Sequence, residues 1–212
     1  MGFYARHVGP RVVSAACSLR LYHERRRAVV SRARGRILEI GMGSGHNLRF
    51  YDPDRIEVLW GLEPGETMRK LAEPKLRKLP FQVRWLDLPG EQVPLDDDSV
   101  DTVLSTFTLC TIPDVSKALD QMHRVLKPGG QLLFLEHGED PDEGVRRWQR
   151  RIEPTWKKLA GGCHITRPIP RLIEGAGFKI RELHAEHIVD PRLLPRALRV
   201  GTFDYWGQAE IG

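Results

Sequence analysis

The stretch RGRILEIGMGSGHNL, Arg34 to Leu48, decides how the rest of the chain is read. An apolar run, Ile37 to Ile40, stops at Gly41, and glycine returns at Gly43 and Gly45. A short apolar run closed by glycine reads as a buried strand. The glycines leave backbone bare where a ligand can approach closely. A helix expected to open at Gly45 would aim its free N–H groups at the same point. The stretch therefore reads as strand, tight turn and helix around a nucleotide. A dinucleotide fingerprint, G-x-G-x-x-G, would put its third glycine at position 46, where His46 stands. The pattern is E-x-G-x-G-x-G from Glu39 to Gly45, which speaks against NAD.

Working outward, Arg11 to Ala33 lacks glycine and proline and reads as one helix. Glu57 to Pro64 reads as a second strand, Glu66 to Lys78 as a helix with a break at Pro74, and Phe81 to Asp87 as a third strand. Val100 to Leu109 is a fourth strand and Val115 to Leu126 an amphipathic helix stopped by Lys127, Pro128 and Gly129. Gln131 to His137 is the fifth strand. Strands alternating with helices at this spacing imply βαβ units, a mostly parallel sheet and a ligand at the strands' carboxyl ends. Beyond Gly138, Trp148, Ile152, Trp156 and Leu159 form an apolar stripe at helical spacing, with Pro154 breaking or kinking the helix. Such a stripe reads as core packing ahead of a substrate wall. Ile169 to Gly175 is a short helix, and Phe178 to Glu186 and Thr202 to Glu210 are closing strands.

The chain has 212 residues, 41% hydrophobic and 29% charged, which suits one domain with a core of useful size. No apolar run reaches the length of a membrane span. Val12 to Leu19 is short, mixed with serine and soon followed by arginines, which weighs against a signal peptide. Cys17, Cys110 and Cys163 are odd in number and far apart in sequence. They form neither a disulfide framework nor a metal spacing, and a reducing cytoplasm suits them. Of the net charge of +5, residues 1–36 carry +8, from nine arginines and Glu24, and the remainder −3. That basic front reads first as the solvated face of a helix. Peripheral contact with an anionic membrane is the second reading.

Glu63 ends the second strand, where an acid can accept both hydroxyls of a ribose. Asp87 ends the third, where a carboxylate can take an adenine amino group or cap a helix. With these in place the sequence resembles the class I S-adenosylmethionine-dependent methyltransferases. The resemblance lies in LEIGMGSG, the acid of GLEP, WLDL, DSVDTVLSTFTL and HRVLKPGGQLLFLEHG, in family order from Arg36 to Gly138, with FDYWGQAE near the end. It implies a Rossmann-like α/β three-layer sandwich whose seven-stranded sheet has the order 3-2-1-4-5-7-6, strand seven antiparallel. One domain, 1–212, would carry an N-terminal helical cap at 1–34 and a helical insert at 139–175 over the acceptor site. S-adenosylmethionine would be the cofactor and S-adenosylhomocysteine its product. By position, Gly41, Gly43 and Gly45 would wrap the methionine part, supported by Glu39. Glu63 and Pro64 would meet the ribose, Met68 would cover the adenine, and Asp87 and Leu88 would take its edge. Thr106 would lie near the sulfonium.

Methyl transfer from a sulfonium is an in-line displacement, so alignment and exclusion of water matter most. A thiol of pKa ~8.5 already carries a useful thiolate fraction at neutral pH. The insert WQRRIEPTWKKLAGGCHITR, Trp148 to Arg167, resembles the animal methyltransferase-like proteins that methylate alkyl thiols. Those carry an apolar anchor at the front, where a basic helix stands here. A small apolar thiol is therefore the expected acceptor, with Cys110, Trp148, Trp156 and Cys163 around it. His137 and His164 are candidate bases near neutral pH, each with a structural role as the plainer alternative. Quinone and phospholipid methyltransferases share the core blocks and form the second reading. An RNA enzyme is the third, but STFTLC replaces the N-P-P-Y-type strand end of base-modifying enzymes and no aromatic interleaving marks the basic front.

Overall fold

The computed structural model describes residues 9–212; the first eight residues of the expected cap lie outside the described residues. Seven strands form one sheet: β1 (Gly35–Ile40), β2 (Ile56–Leu62), β3 (Val83–Leu86), β4 (Val100–Thr106), β5 (Leu126–His137), β6 (Phe178–His187) and β7 (Phe203–Ile211). Their order is β3-β2-β1-β4-β5-β7-β6, and β7 runs antiparallel to both β5 and β6. The fold is the one the resemblance implies. Among the described residues six α-helices accompany the sheet: α1 (Gly9–Cys17), α2 (His23–Val30), α3 (Glu66–Leu76), α4 (Val115–Val125), α5 (Glu143–Leu159) and α6 (Ile169–Gly175).

Alternation along the strands builds two cores, one on each face. Leu38, Trp60, Val103 and Leu132 face one side, where Leu119 and Met122 of α4 and Ile169 and Ile173 of α6 cover them. Their chain neighbours Ile37, Leu59, Leu104 and Leu133 face the other side, against Val29 and Val30 of α2 and Phe50 and Tyr51. The central strands are apolar on both faces because both are covered.

Several expected elements differ. The long N-terminal helix is two, split at Leu19, whose extended backbone (φ −56°, ψ 137°) turns α2 onto the sheet. No α-helix opens at Gly45; two 3₁₀ turns, Leu48–Phe50 and Pro53–Arg55, stand between it and β2. Only residues 46–55 join the loop to β2, and Asn47 and Tyr51 turn inward within them to hold Glu39. α3 continues through Pro74, and α5 runs unbroken through Pro154. Lys127 to Gly130 do not end a helix in free loop. They form a bulge inside β5, between the Val100–Leu126 and Thr102–Gln131 pairs.

Candidate active site

The three glycines of the loop all take left-handed backbone, at φ +66° for Gly41, +56° for Gly43 and +71° for Gly45. This is why glycine recurs at alternate positions. Gly41 N and Met42 N both donate to Leu62 O, which ties the loop to the end of β2. A Cβ on Gly43 would meet nothing nearer than Gly41 O at 3.8 Å. That free space is part of a cavity of about 500 Å³ at the carboxyl ends of the strands.

Gly41, Gly43, Glu63, Pro64, Met68 and Thr106 all line this cavity, as their expected roles require. Glu63 Oε2 accepts from Gly43 N at 3.0 Å and Oε1 from Gly65 N at 2.7 Å. Burial raises its pKa, opposed by those two N–H donors and by Arg69. Glu39 lies behind the wall, fully buried, accepting from Asn47 Nδ2 at 2.8 Å and Tyr51 OH at 2.7 Å. Burial lifts it to about 7 against these hydrogen bonds. Gly45 faces a second cavity, of about 730 Å³, on the other side of the loop.

Asp87 and Leu88 are not on the cavity wall, which passes along Pro89, Gly90 and Glu91 instead. The Asp87 carboxylate is held by the Arg69 guanidinium fork, with Nη2 at 2.9 Å from Oδ2.

Neither candidate base reaches the cavity. His137 Nδ1 lies 2.6 Å from Asp204 Oδ1, and Arg25 holds the other oxygen at 2.6 Å. Burial alone would push this imidazole down, but the charge and hydrogen bond of Asp204 prevail and carry it to about 9. A histidine already protonated at neutral pH is no proton acceptor. His164 Nδ1 bonds Glu153 Oε1 at 2.8 Å, which holds it against α5, outside the cavity wall.

The four residues expected around the acceptor also lie elsewhere. Trp148 is 40% exposed and lines neither cavity. Cys110, Cys163 and Trp156 pack with Val145, Ile165 and Val200 in a third small core that roots α5 on the domain. Only the middle of the stripe, Ile152 and Trp156, packs against this core, while Trp148 and Leu159 at its ends are exposed. The C-terminal end of α5 does reach the cavity, through Lys158, Leu159, Ala160 and Gly161. Val13, Ser14 and Cys17 of α1 close it from above. Apolar groups dominate the remaining wall, with Ile40, Leu62, Phe107 and Ile112 among them.

Three features escaped the sequence reading. Arg26 is 3% exposed and lines the cavity, although it sits within a run of three arginines. Its spacing of three and four from the buried Val29 and Val30 was the available signal. Ser14, Ser44 and His46 form a hydrogen-bonded cluster joining α1 to the glycine loop, with Ser44 Oγ 2.9 Å from His46 Nε2. Burial, followed by the charges of Lys75 and Arg26, lowers His46 to about 4, so this imidazole is neutral. Glu136 is fully buried and accepts from Ser105 Oγ (2.7 Å), Thr108 N (3.1 Å) and Cys110 N (3.2 Å), organising the turn after β4.

A methyltransferase domain family model matches residues 38–134. The chain is 37% identical to thiol S-methyltransferase TMT1B of Rattus norvegicus over 147 residues, 67% of this chain and 59% of that protein. It is 32% identical to thiol S-methyltransferase TMT1A of Homo sapiens over 161 residues, 73% of this chain and 64% of that protein. The chain thus spans about three-fifths of the length of these relatives. Among solved structures, a putative methyltransferase from Haloferax volcanii, in complex with the Trm112 methyltransferase activator, superposes with a TM-score of 0.69 at 20% identity. That match covers 95% of this chain and 97% of the other.

Proposed function

We propose, from the premise that the chain belongs to the class I S-adenosylmethionine-dependent methyltransferases, that it methylates the sulfur of a small apolar thiol. The observation that carries this reading is the composition of the cavity wall. The glycine loop and Glu63 form one end, and α1 with the C-terminal end of the insert helix α5 forms the other. The insert is the segment whose sequence resembles the thiol enzymes, and relatives that bear the thiol S-methyltransferase name match over 67% and 73% of the chain.

The residues fit the cofactor. Gly43 leaves open the space a side chain would fill, and Glu63 offers two oxygens beside it. Met68 and Ile40 supply apolar surface for a purine. When bound, S-adenosylmethionine supplies a methyl group already activated by its sulfonium charge. The chain's own part is to place the acceptor in line and to exclude water. Phe107, at φ +54°, holds the end of β4 in a conformation that costs a non-glycine residue energy. Its amide donates to Leu135 O at 2.7 Å, and Glu136 ties down the residues that follow. The turn beside the reaction centre is therefore rigid.

The test is methylation of a panel of short-chain and aromatic thiols by the purified protein, alongside demethylquinone and ethanolamine lipid. Turnover on thiols alone supports the reading. Turnover only on the quinone or the lipid would replace it with the second reading from the sequence.

A further inference from the structure

Arg26 is a buried cation in a wall that otherwise needs none. One Nη donates to Asn47 Oδ1 at 2.7 Å and to Thr106 Oγ1 at 3.1 Å. Its guanidinium carbon lies 4.9 Å from the centre of the Phe107 ring. Its Nε is buried with no hydrogen-bond partner among the described residues. Burying a charged group with an unused donor is costly unless an acceptor arrives. The side chain stands between two spaces, the cofactor cavity and the second cavity of about 730 Å³. His23, Arg49, Lys75 and Lys78 line the second, and no acid does. Cys17 and His46 line both, so the junction already holds one thiol beside the guanidinium.

We infer that Arg26 is a catalytic residue, its guanidinium, which lines both cavities, facing the acceptor sulfur and holding it as thiolate. The inference rests on the thiol reading above. In the reaction the thiol proton passes to solvent. A lone pair of the acceptor sulfur forms the new bond to the methyl carbon, and the pair of the broken bond stays on the cofactor sulfur as a thioether. Nothing is oxidised or reduced.

The groups around Arg26 suit this role. Cys17 of α1, Tyr22 before α2, Glu39 of β1, Glu136 of β5, His46 of the loop and Lys75 of α3 face it. Both acids are committed to internal donors, Glu39 to Asn47 and Tyr51, and Glu136 to Ser105 and the following amides. His46 and Lys75 supply no negative charge. Burial raises the Cys17 thiol, and the Arg26 charge works against that rise, so a thiol at this junction feels the cation.

The experiment titrates an alkyl thiol into the protein saturated with S-adenosylhomocysteine, by calorimetry at neutral pH in two buffers of different ionisation enthalpy. Wild type should release about one proton per thiol bound, and Arg26→Met close to none. In turnover, Arg26→Met should lower kcat/KM for an alkyl thiol by about 10–100-fold, the worth of one charge-assisted hydrogen bond. An aromatic thiol, already ionised, should lose less than about threefold, and Arg26→Lys should recover part of the loss. Should Arg26→Met instead lose S-adenosylhomocysteine affinity and keep the proton release, Arg26 holds the cofactor carboxylate and the inference is wrong. If the variants do not fold, wild type decides alone: methylation of thiols without proton release on binding overturns it. A wild type that methylates no thiol sinks the thiol reading itself, and this inference with it.

Discussion

Alkaline pH should remove a measurable part of this protein's stability, and the group responsible is His137. Its Nδ1 is 2.6 Å from Asp204 Oδ1, and the Asp204 side chain is fully buried. Burial disfavours the imidazolium, but the Asp204 charge and hydrogen bond outweigh it and raise the pKa from 6.5 to about 9. A raised pKa means that the folded chain holds this proton more tightly than the unfolded one. The stabilisation is then complete below pH 6.5 and lost as pH rises through about 9. At ~1.4 kcal/mol per pH unit, the whole effect is about 3 kcal/mol. The assay is urea unfolding of wild type and Asp204→Asn at several values between about pH 6.5 and 9.5. Asp204→Asn should be less stable at neutral pH, and the gap should narrow by about 3 kcal/mol toward the alkaline end. The difference between the proteins is the readout, because Cys163 acts oppositely in the same window. The Cys110 thiol, with smaller help from His137 and Trp156, holds it down to about 7 against its burial. His46, lowered to about 4, costs stability only as pH falls below 6.5 and stays out of the window. A gap that is constant with pH, or that widens toward pH 9.5, would refute the reasoning.

Glu63→Ala should weaken S-adenosylhomocysteine binding by about 2–4 kcal/mol in calorimetry, since it removes two charged acceptors and frees the Gly43 and Gly65 amides; unchanged affinity would remove Glu63 from the site. Gly43→Val should abolish cofactor binding while the circular dichroism spectrum stays native, because its side chain enters open cavity space, with a loss of thermal stability from the left-handed backbone at φ +56°. Gly41→Val should instead damage the loop itself, because its Cβ collides with the Thr108 side chain; its larger loss in thermal melting separates the two. Trp148→Ala should leave thiol turnover intact, since Trp148 is away from the cavity. A large loss of thiol turnover would return Trp148 to the acceptor site.

Much of the cofactor end was legible because its constraints are local. Gly41, Gly43 and Gly45 stand where the backbone must turn left-handed, and only glycine does so freely. Glu63 is found by counting to the end of the next strand, and it does line the cavity. The acceptor end was much less legible. Trp148, Trp156, Cys110 and Cys163 were placed around the acceptor because they share the insert or follow a strand, although the tryptophan stripe by its spacing reads first as core packing. Three of them serve the packing that holds α5 in place, and its last residues face the ligand space. Periodicity identifies a helix's buried face and leaves open what lies opposite it.

The sequence by itself determined the strand order, the class of cofactor and the loop that would hold it. The strand–helix alternation and the loop follow from periodicity and from residue types with steric requirements of their own, while the strand order and the cofactor follow from the resemblance of the blocks between Arg36 and Gly138 to a known family. Tertiary structure decided protonation and access. His137 looked like a base, but Asp204, far along the chain, makes it a cation. Arg25, Arg26 and Arg27 read alike in sequence. Folding pairs Arg25 with Asp204, leaves Arg27 exposed and buries Arg26 between two cavities with a donor unused. A side chain's charge and reach depend on neighbours brought together through space, and spacing along the chain does not carry that information.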